Sequence, residues 1–397
     1  MKILHLSYSD YDGGASIAAY RLHRKLLEIG VDSKMMVVKK MRDDSSVLAP
    51  LSSFGISYQI FLSRFSHLLL RMQHSGNPIF HSLNLFPGLI ASAVMKYNPD
   101  LIHLHWICNE MLSIRQIACL PFPIVWTFHD AWPICGAEHH SFGLNDSRFQ
   151  NGYSRKNNLN HGVDWDRFVW QKKMQYWFNK SFNIVTPSHW LENRVRQSPL
   201  FRNSKIQTIP NGVVLPSDPV SKQTARKHLH LPENKILLGF GAFFLRDENK
   251  GGKELLKVMQ AVYEKNPKIE WVVMGNAELP QGPWIVHVLG KLDAESECRY
   301  FYSAIDLLVM TSKIENLPNM LIESLGCGTP CVAFRVGGIP EIVHSKVNGY
   351  LAEPFSISDL VNGIFNCLAT LPLEIKLDDV FLLDSVAMQY FHLYKKF

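Results

Sequence analysis

Two kinds of hydrophobic pattern alternate along the chain. Short, nearly continuous apolar runs predict buried β-strands, and segments with an apolar residue every three or four positions predict amphipathic helices. The strand-like runs are Lys2–Ser7, Met35–Val38, Leu101–His105, Ile124–Phe128, Ile184–Thr186, Ile236–Phe240, Trp271–Met274, Ile285–Leu289, Leu307–Thr311 and Cys331–Phe334. The helical patterns between them include Ala15–Ile29, Lys253–Glu264 and Ala294–Ala304. Strands that alternate with helices in this way indicate parallel sheets covered by helices.

The strand-like runs form two series of about five, and each series is enough for one Rossmann-like sheet. Between the series, near Ile209–Val220, prolines and a glycine cluster with polar residues, as they do in linkers between domains. We therefore predict an α/β protein with two doubly wound parallel-sheet domains. The first spans residues 1–210 and the second spans residues 211–380, followed by an aromatic and basic segment, 381–397.

The composition is that of a globular protein with room for two domains. Of the 397 residues, 47% are hydrophobic and 19% are charged, and the formal charge is +6. No Lys/Arg tract is long enough to indicate nucleic-acid binding, so we expect none. The start, Met1–Ser7, is too short for a signal peptide, and no run approaches the ~20 apolar residues that span a bilayer. The seven cysteines have no paired spacing, and free thiols in a reducing cytoplasm are the expected state.

The stretch from Glu315 to Glu323 is the most informative about function. Pro318 suits the first position of a helix, because proline has no N–H to leave unsatisfied there. Glu315 would then precede this helix, and Glu323 would lie about one turn inside it. The N–H groups at a helix start can hold a phosphate, and carboxylates bind hydroxyl groups, so the stretch suits a sugar nucleotide. For the two acids alone, a capped surface helix is the simpler explanation.

Further motifs make the sugar-nucleotide interpretation the stronger one. They are Gly13-Gly14-Ala15, Trp126-Thr127-Phe128-His129-Asp130, Val185-Thr186-Pro187-Ser188, Ile209-Pro210-Asn211-Gly212-Val213, Lys250-Gly251, Gly328-Thr329-Pro330 and Gly337-Gly338-Ile339-Pro340-Glu341. With the two glutamates, this set resembles the retaining glycosyltransferases of family 4 over almost the whole chain. Those enzymes have the GT-B fold, in which two Rossmann-like domains face each other across a cleft. They transfer a sugar from an activated nucleotide donor, and their last helix crosses back to the first domain, as we expect here for residues 381–397.

The resemblance implies a role for each matched residue. Glu315 would hold hydroxyls of the donor sugar, and Glu323 would hold the nucleotide ribose. Lys250 and Arg246 follow the strand Ile236–Phe240, at the end of a strand where α/β folds bind ligands, and they would stabilise the leaving diphosphate. Their spacing is one residue shorter than the family pattern, and a solvated turn explains them equally well from composition alone. The remaining residues expected to bind the donor are Asn316, Leu317, Asn319, Gly13, Gly14, Gly337 and Gly338.

His129 follows the predicted strand Ile124–Phe128. A single histidine at such a position is more often structural, but the resemblance implies that it lies against the donor sugar. Retention in these enzymes is generally thought to be a front-face reaction in which the donor phosphate takes the proton. We therefore expect His129 to position the sugar in the active site and not to act as a general base, with Asp130 orienting its ring.

Metal binding is not expected from the sequence. His103 and His105 share one face of a strand, and the further candidates Cys135, His139 and His140 follow. Their spacings match no standard zinc pattern. Side-chain cations would make a catalytic metal unnecessary, so we expect no metal and no cofactor, the nucleotide sugar being a substrate.

Two segments suggest features outside the donor site. Ser57–Arg71 has the pattern of an amphipathic helix with basic residues, which fits a membrane surface, although a helix packed on its own core is the more common arrangement. The polar segment from Glu138 to Asp164 has no period and predicts a long loop on the acceptor side.

The sequence thus predicts a retaining glycosyltransferase that moves a sugar from a nucleotide-diphospho-sugar to a saccharide or lipid-linked acceptor. Family analogy favours bacterial surface polysaccharide assembly, such as O-antigen, capsule or exopolysaccharide, with peripheral contact at the inner membrane surface. One alternative is another enzyme on this fold, a sugar-nucleotide epimerase or a phosphorylase. Another is a non-catalytic protein that binds nucleotide sugars.

Overall fold

The computed structural model describes residues 1–141, 146–215, 218–241, 248–275, 280–292, 295–370 and 375–397. Arg246, predicted to contact the leaving diphosphate, lies outside the described residues. The chain divides into two compact units. The N-terminal unit contains Met1–Gly212 together with Leu383–Phe397, and the C-terminal unit contains Val213–Leu382.

The N-terminal unit alternates strands and helices. Its strands are β1 (Ile3–Ser9), β2 (Ser33–Lys39), β3 (Val47–Leu48), β4 (Gln73–Ser75), β5 (Leu101–Leu104), β6 (Ile124–Thr127), β7 (Asn160–Gly162), β8 (Asn183–Thr186) and β9 (Lys205–Thr208). Its helices up to residue 212 are α1 (Gly13–Glu28), α2 (Ser53–Leu70), α3 (Ile90–Tyr97), α4 (Ile114–Cys119), α5 (Arg148–Asn151), α6 (Trp165–Trp177) and α7 (His189–Gln197).

The described residues of this unit form a seven-stranded sheet in the order β3-β2-β1-β5-β6-β8-β9. The pairings within it are parallel, with β1 between β2 and β5. A separate antiparallel pair joins β4 to β7. Strands β1 and β5 are almost completely buried, as expected for a parallel sheet covered on both faces.

The C-terminal unit repeats the same architecture. Its strands are β10 (Leu237–Gly241), β11 (Glu270–Met274), β12 (Val286–Val288), β13 (Leu307–Met310), β14 (Cys331–Phe334) and β15 (Gly349–Ala352). Its helices are α8 (Lys222–His228), α9 (Gly252–Lys265), α10 (Glu295–Ala304), α11 (Asn319–Gly326) and α12 (Ile357–Thr370). Among the described residues, the sheet has six parallel strands in the order β12-β11-β10-β13-β14-β15. The order reverses between β10 and β13, which is the Rossmann arrangement.

The last helix, α13 (Leu383–Tyr394), belongs to the N-terminal unit. Its apolar face joins a buried cluster with residues of α1 and of several strands, namely Ile3, Leu22, Leu26, Leu101, Val125, Val185 and Ile209. Two tyrosines add polar contacts: Tyr394 Oη lies 2.6 Å from His103 Nδ1, and Tyr390 Oη lies 2.9 Å from Thr127 Oγ1. Lys25 and Asp384 form an ion pair at 2.6 Å. The end of the chain is therefore part of the core of the N-terminal unit.

Helix α2 differs in part from the expectation that its apolar residues pack on the core: Leu69 does so, but four others do not. Ile60 (43%), Phe61 (60%), Phe65 (37%) and Leu68 (56%) are exposed. The buried face carries Gly55, Gln59, Leu62 and Ser66. The reason is polar: Gln59 Nε2 donates to the carbonyl of Asn109, and Ser66 Oγ donates to the Glu110 carboxylate at 2.8 Å. In the part of the chain that the structure describes, no helix is both long and apolar enough to cross a bilayer.

Two other expectations differ from the structure in detail. The segment 138–164, predicted as a loop, contains α5 and β7, and its residues 142–145 lie outside the described residues. The sheets also have more strands than the five predicted for each. The additional strands are β3 and β9 in the first sheet and β15 in the second. Strand β3 has only two residues, and β9, Lys-Ile-Gln-Thr, is mostly polar.

Packing of α13 gives a testable stability difference. Leu393 is 6% exposed and Met388 on the same helix is 41% exposed. We expect Leu393→Ala to lower the free energy of unfolding by about 2 to 5 kcal/mol, because it leaves a cavity in the buried cluster. Met388→Ala is the matched control and should change it by less than ~0.5 kcal/mol. Urea unfolding followed by circular dichroism measures both, and equal effects would contradict this packing.

Candidate active site

The strand order of the C-terminal sheet reverses between β10 and β13, and this places the loops that follow these two strands next to each other. Strands β10 and β13 are neighbours, and their carboxyl ends lie at Gly241 and Met310. Open α/β sheets bind ligands at this point, because the connections from the two strands run to opposite faces and leave a crevice. The loop after β10 includes Lys250, and the loop after β13 includes Glu315.

Main-chain contacts hold these two loops together. The N–H of Lys313 donates to the carbonyl of Asn249 at 2.7 Å, and Thr311 Oγ1 donates to the carbonyl of Lys250 at 3.2 Å. Gly251 has a φ of +66°, and a Cβ at this position would lie 1.9 Å from the carbonyl oxygen of Thr311. Gly251 is therefore required by the fold, since only glycine allows this approach.

An ion pair connects the two loops across their side chains. Lys250 Nζ lies 2.7 Å from Glu315 Oε1. The Lys250 side chain is 44% exposed and that of Glu315 is 14% exposed, so the lysine is accessible to a ligand. A third loop supports Glu315: the N–H of Gly338 donates to its carbonyl at 3.0 Å. Gly337 has a φ of +57°, and a Cβ there would lie 1.8 Å from the same carbonyl oxygen.

Helix α11 begins at Asn319, immediately after this site. Pro318 is its N-cap residue, whereas the sequence predicted Pro318 as the first residue of the helix. The helix therefore begins one residue later than predicted. The side chains of Asn316 and Leu317 are buried, and Leu317 packs in the core of the unit. A ligand at the helix start would therefore meet the main chain of this segment, where a helix of this direction presents N–H groups and a partial positive charge.

Glu323 lies on α11 and is half-buried. Tyr302 of α10 donates its hydroxyl to Glu323 Oε2 at 2.6 Å, and the tyrosine is itself 1% exposed. A buried donor of this kind fixes the orientation of the carboxylate. Sequence reasoning did not find this contact of Tyr302 with a candidate site residue, because a tyrosine near the end of a helix carries no distinguishing signal.

The other predicted residues belong to the N-terminal unit. Gly13 and Gly14 open helix α1 at the carboxyl end of β1. His129 follows β6, and its Nε2 lies 3.1 Å from His105 Nδ1. His105 Nε2 in turn lies 3.0 Å from His5 Nδ1, so three imidazoles form a continuous chain into the core. Sequence reasoning gave His105 no such role, because contacts between residues on separate strands cannot be read from the sequence.

Asp130 has partners other than those expected. Its carboxylate accepts hydrogen bonds from Trp106 Nε1 at 3.0 Å and from the main-chain N–H of Trp132 at 2.9 Å. It also pairs with His139 Nδ1 at 2.6 Å, while His139 Nε2 contacts Ser82 Oγ. The structure thus links the ring of His129 to His105, and Asp130 to His139.

The histidines considered as metal ligands are distributed differently from the set suggested by the sequence. His103 and His105 group with His5, with one ligand atom of each within 4.8 Å of the others. His103 is held by Thr127 and Tyr394, and His139 by Asp130.

Burial lowers the pKa of His129 to about 4, and lowers the pKa values of His5, His103 and His105 well below their usual value.

Comparison with known proteins identifies the family. The sequence model described as Glycosyltransferase Family 4 matches residues 13–215, about half of the chain, and the one described as Glycosyl transferases group 1 matches residues 234–370. The chain belongs to glycosyltransferase family 4. This membership confirms the predicted class of enzyme, a glycosyltransferase.

Curated relatives match this family member over different lengths. An uncharacterized glycosyltransferase of Haemophilus influenzae is 28% identical over 41% of the chain and 46% of the relative. A D-inositol 3-phosphate glycosyltransferase of Thermobifida fusca is 31% identical over 40% of the chain and 41% of the relative. The chain thus spans less than half the length of these two. A putative colanic acid biosynthesis glycosyl transferase of Escherichia coli, WcaC, is 21% identical over 89% of the chain and 88% of its own length.

Solved structures confirm the GT-B fold of this family 4 chain. Sucrose-phosphate synthase from Thermosynechococcus elongatus has a TM-score of 0.67 at 18% identity, covering 100% of this chain and 99% of its own. HepE of Anabaena in complex with UDP-glucose has a TM-score of 0.64 at 17% identity, covering 100% of both chains. At these identities the likeness shows the fold alone.

The buried histidines predict how stability depends on pH. His129 has a lower pKa in the folded chain, about 4, than in an unfolded chain, about 6.5. Unfolding therefore takes up a proton between these values, so stability is complete above pH ~6.5 and falls as the pH drops toward 4. We expect His129→Gln to reduce this slope by up to about 1.4 kcal/mol per pH unit. Urea unfolding at several pH values measures the slope, and equal slopes for both proteins would contradict the lowered pKa.

Proposed function

We propose that the protein is a retaining glycosyltransferase that transfers a sugar from a nucleotide-diphospho-sugar to a saccharide or lipid-linked acceptor. The observation that carries the proposal is the grouping of Lys250, Glu315 and Glu323 beside the start of α11 at the switch point of one sheet. A cation, a helix start and two acids supply what a sugar diphosphate requires.

Lys250 and α11 would act on the diphosphate. Lys250 is paired with Glu315 at 2.7 Å. A diphosphate carries more negative charge than one carboxylate, so it would compete for this exposed ammonium group, and the start of α11 would add N–H donors. As the bond to the sugar breaks, negative charge accumulates on the diphosphate, and this fixed positive environment stabilises it. These groups supply the charge compensation, and we propose a reaction without a catalytic metal or cofactor.

The two carboxylates would bind hydroxyl groups. Glu315, held by Gly338 and Lys250, is placed to accept hydrogen bonds from the sugar, while Glu323, oriented by Tyr302, is assigned to the ribose. We assign His129 to positioning of the sugar. Its pKa of about 4 keeps the ring neutral at pH 7, so it is suited to hydrogen bonding with hydroxyls and not to carrying a charge.

Named neighbours support a UDP-sugar donor and a surface polysaccharide pathway. HepE of Anabaena was solved with UDP-glucose and pneumococcal GtfA with UDP and GlcNAc. The E. coli relative WcaC is described as a colanic acid biosynthesis enzyme, and WaaG, with a TM-score of 0.59, as involved in lipopolysaccharide biosynthesis. For this chain we propose a UDP-sugar as donor and assembly of a bacterial surface polysaccharide, such as O-antigen, capsule or exopolysaccharide, as the pathway.

Donor binding gives the direct test. We expect a UDP-, GDP-, ADP- or dTDP-linked sugar to raise the melting temperature, because it binds only the folded chain. Glu323→Ala should weaken donor binding by roughly tenfold to a hundredfold, the loss of a hydrogen bond to a charged group. Lys250→Ala should bind donor less tightly and release nucleotide diphosphate more slowly in the presence of acceptor.

The control and the rival functions have separate outcomes. Glu264→Ala, on the exposed side of α9, should bind donor like the original chain. Conversion of donor to a stereoisomer without acceptor would indicate an epimerase, and a yellow chromophore a phosphorylase. A donor-induced shift without turnover on any saccharide or lipid-linked acceptor would indicate a binding protein. No shift with any donor would overturn the proposed site.

We further propose that α2 holds the protein on the cytoplasmic face of a membrane, where a lipid-linked acceptor resides. Phe54, Phe61 and Leu68 are 78%, 60% and 56% exposed, and Arg64 and Arg71 are exposed beside them. Exposed apolar groups bordered by basic residues suit insertion among anionic headgroups. The polar contacts of Gln59 and Ser66 on the opposite face keep this orientation.

A sedimentation assay tests this surface. Because Phe61 and Leu68 are exposed, replacing both with serine should leave the melting temperature unchanged. Binding to vesicles of phosphatidylglycerol should fall tenfold or more, since each side chain contributes about 1.5 kcal/mol or more when buried in the membrane. Val347→Ser, which removes a 63% exposed apolar side chain of the C-terminal unit, is the control and should bind vesicles normally. Equal binding by all three proteins would show that α2 does not contact the membrane.

A further inference from the structure

A histidine and two carboxylates converge in the interior of the N-terminal unit, away from the residues assigned to the donor. They are His81, Glu138 and Asp166, and one ligand atom of each lies within 4.8 Å of the others. Glu138 and Asp166 are fully buried, and the His81 side chain is 10% exposed. His81 and Glu138 are paired by an isolated antiparallel bridge, and Asp166 lies in the first turn of α6.

The atoms that face one another are acceptors. His81 Nδ1 contacts the carbonyl of Ile79, so this nitrogen carries the proton and Nε2 carries a lone pair. That Nε2 lies 3.5 Å from Asp166 Oδ1. Glu138 Oε2 is buried and has no hydrogen-bond partner within the described residues. Three lone-pair atoms therefore approach each other, an arrangement that is unfavourable unless a proton or a metal ion lies between them.

The charges of the surrounding groups point in the same direction. Arg148 is within 3.1 Å of Glu138, 2.9 Å of Asp146 and 3.4 Å of Asp166. Three carboxylates around one guanidinium carry a formal charge of −2 when all are ionised, and the buried ammonium group of Lys173, which interacts with Glu138, reduces it to −1. Lys173 nearby donates to the carbonyls of Trp132, Cys135 and Gly136. The carboxylates thus still outnumber the cations around them, which favours an added positive charge.

We propose that His81, Glu138 and Asp166 bind one divalent transition-metal ion, with Zn²⁺ best suited to the mixed imidazole and carboxylate ligands. Two ligands of a tetrahedral zinc ion stand roughly 3.4 Å apart, given bonds of about 2.0 to 2.1 Å, and the His81–Asp166 separation of 3.5 Å matches this. Water would complete the coordination.

The groups behind the three ligands resemble the supporting shell of a metal site. The ring of His81 is fixed through Ile79, as ligating histidines usually are fixed by a carbonyl. Asp166 accepts hydrogen bonds from Gln73 Nε2 at 3.1 Å and from Asn160 Nδ2 at 2.9 Å. Tyr153 Oη donates to Glu138 Oε1. Each carboxylate is oriented while one of its oxygens points toward the cluster.

The ion would have a structural function. It would join the segments that contain residues 81, 138 and 166, which are far apart in the sequence. Glu138 is directly followed by His139, which pairs with Asp130 at 2.6 Å, and Asp130 is adjacent to His129. An ion at Glu138 would therefore stabilise the segment after β6 without taking part in the chemistry. This structural role is compatible with the proposed reaction, which uses no catalytic metal.

A bound proton is the competing explanation, and glutamine at position 138 distinguishes the two. Burial and the neighbouring Asp166 raise the pKa of Glu138 well above its usual value, so the cluster without an ion would hold Glu138 protonated. Glutamine has the shape of a protonated glutamate and carries no charge. Glu138→Gln should therefore preserve the fold and its stability if a proton occupies the cluster, and should lose the ion if a metal occupies it.

The experiment uses the full chain after treatment with EDTA and desalting. We expect addition of Zn²⁺ to restore one equivalent per chain, measured by elemental analysis after desalting, and to raise the melting temperature. Glu138→Gln and Asp166→Asn should bind zinc at least a hundredfold more weakly and lose the shift. Glu28→Gln, an exposed change on α1, is the control and should bind like the original chain.

Co²⁺ gives a readout that does not depend on any variant. Tetrahedral cobalt at this site should show visible absorption bands without the intense charge-transfer band of thiolate ligands, which separates it from binding at the cysteines. The proposal is overturned if the original chain retains no zinc and its melting temperature responds to neither EDTA nor zinc. It is also overturned if Glu138→Gln retains zinc with equal affinity, which would place the ion elsewhere.

Discussion

The close approach of two neighbouring loops to the main chain of residues 311–315 is the constraint on which the rest of the candidate donor site depends. Gly337 and Gly251 lie where a Cβ would stand 1.8 and 1.9 Å from a carbonyl oxygen, so the chain can close there only with glycine. This closure places Lys250 next to Glu315 and directs the main chain into α11. The glycines thus allow the close packing of the main chain, and this packing determines the positions of Lys250 and Glu315.

The same arrangement explains why the site can carry charge at low cost. Lys250 is 44% exposed, so its ammonium group keeps much of its hydration, while Glu315 is held by Lys250 and by the N–H of Gly338. The ammonium group of a lysine that is paired with a carboxylate but still exposed to solvent can readily exchange that partner for a ligand with more negative charge. Glu323 differs, because a buried tyrosine holds it and its geometry is set before any ligand arrives.

Much of the fold and part of the candidate site could be predicted from the sequence. The periodicity of apolar residues predicted both sheets, since buried parallel strands are continuous apolar runs. Pro318 indicated the start of α11 to within one residue. Tyr302 and His105 could not be found, because their contacts join separate elements. The orientation of helix α2 was predicted only in part, because its buried face includes polar residues. A hydrophobic pattern predicts that apolar residues face the core, whereas Gln59 and Ser66 are buried through hydrogen bonds to specific partners. The cluster of His81, Glu138 and Asp166 could not be predicted either, because the sequence separations of these residues match no standard metal-binding motif.

The two units therefore differ in how they use polar groups. In the C-terminal unit the polar residues of the site are half-exposed and concentrated where two strands end. In the N-terminal unit they are buried in networks, with His5, His105 and His129 in one and Glu138, Arg148 and Asp166 in another. Buried networks fix a unique geometry only when every acceptor finds a donor or a cation. The histidine chain meets most of this requirement with its own protons. In the carboxylate cluster, Glu138 Oε2 and His81 Nε2 have no hydrogen-bond partner within the described residues, so a proton or a metal ion must satisfy them, and this is the physical reason to look for an ion there.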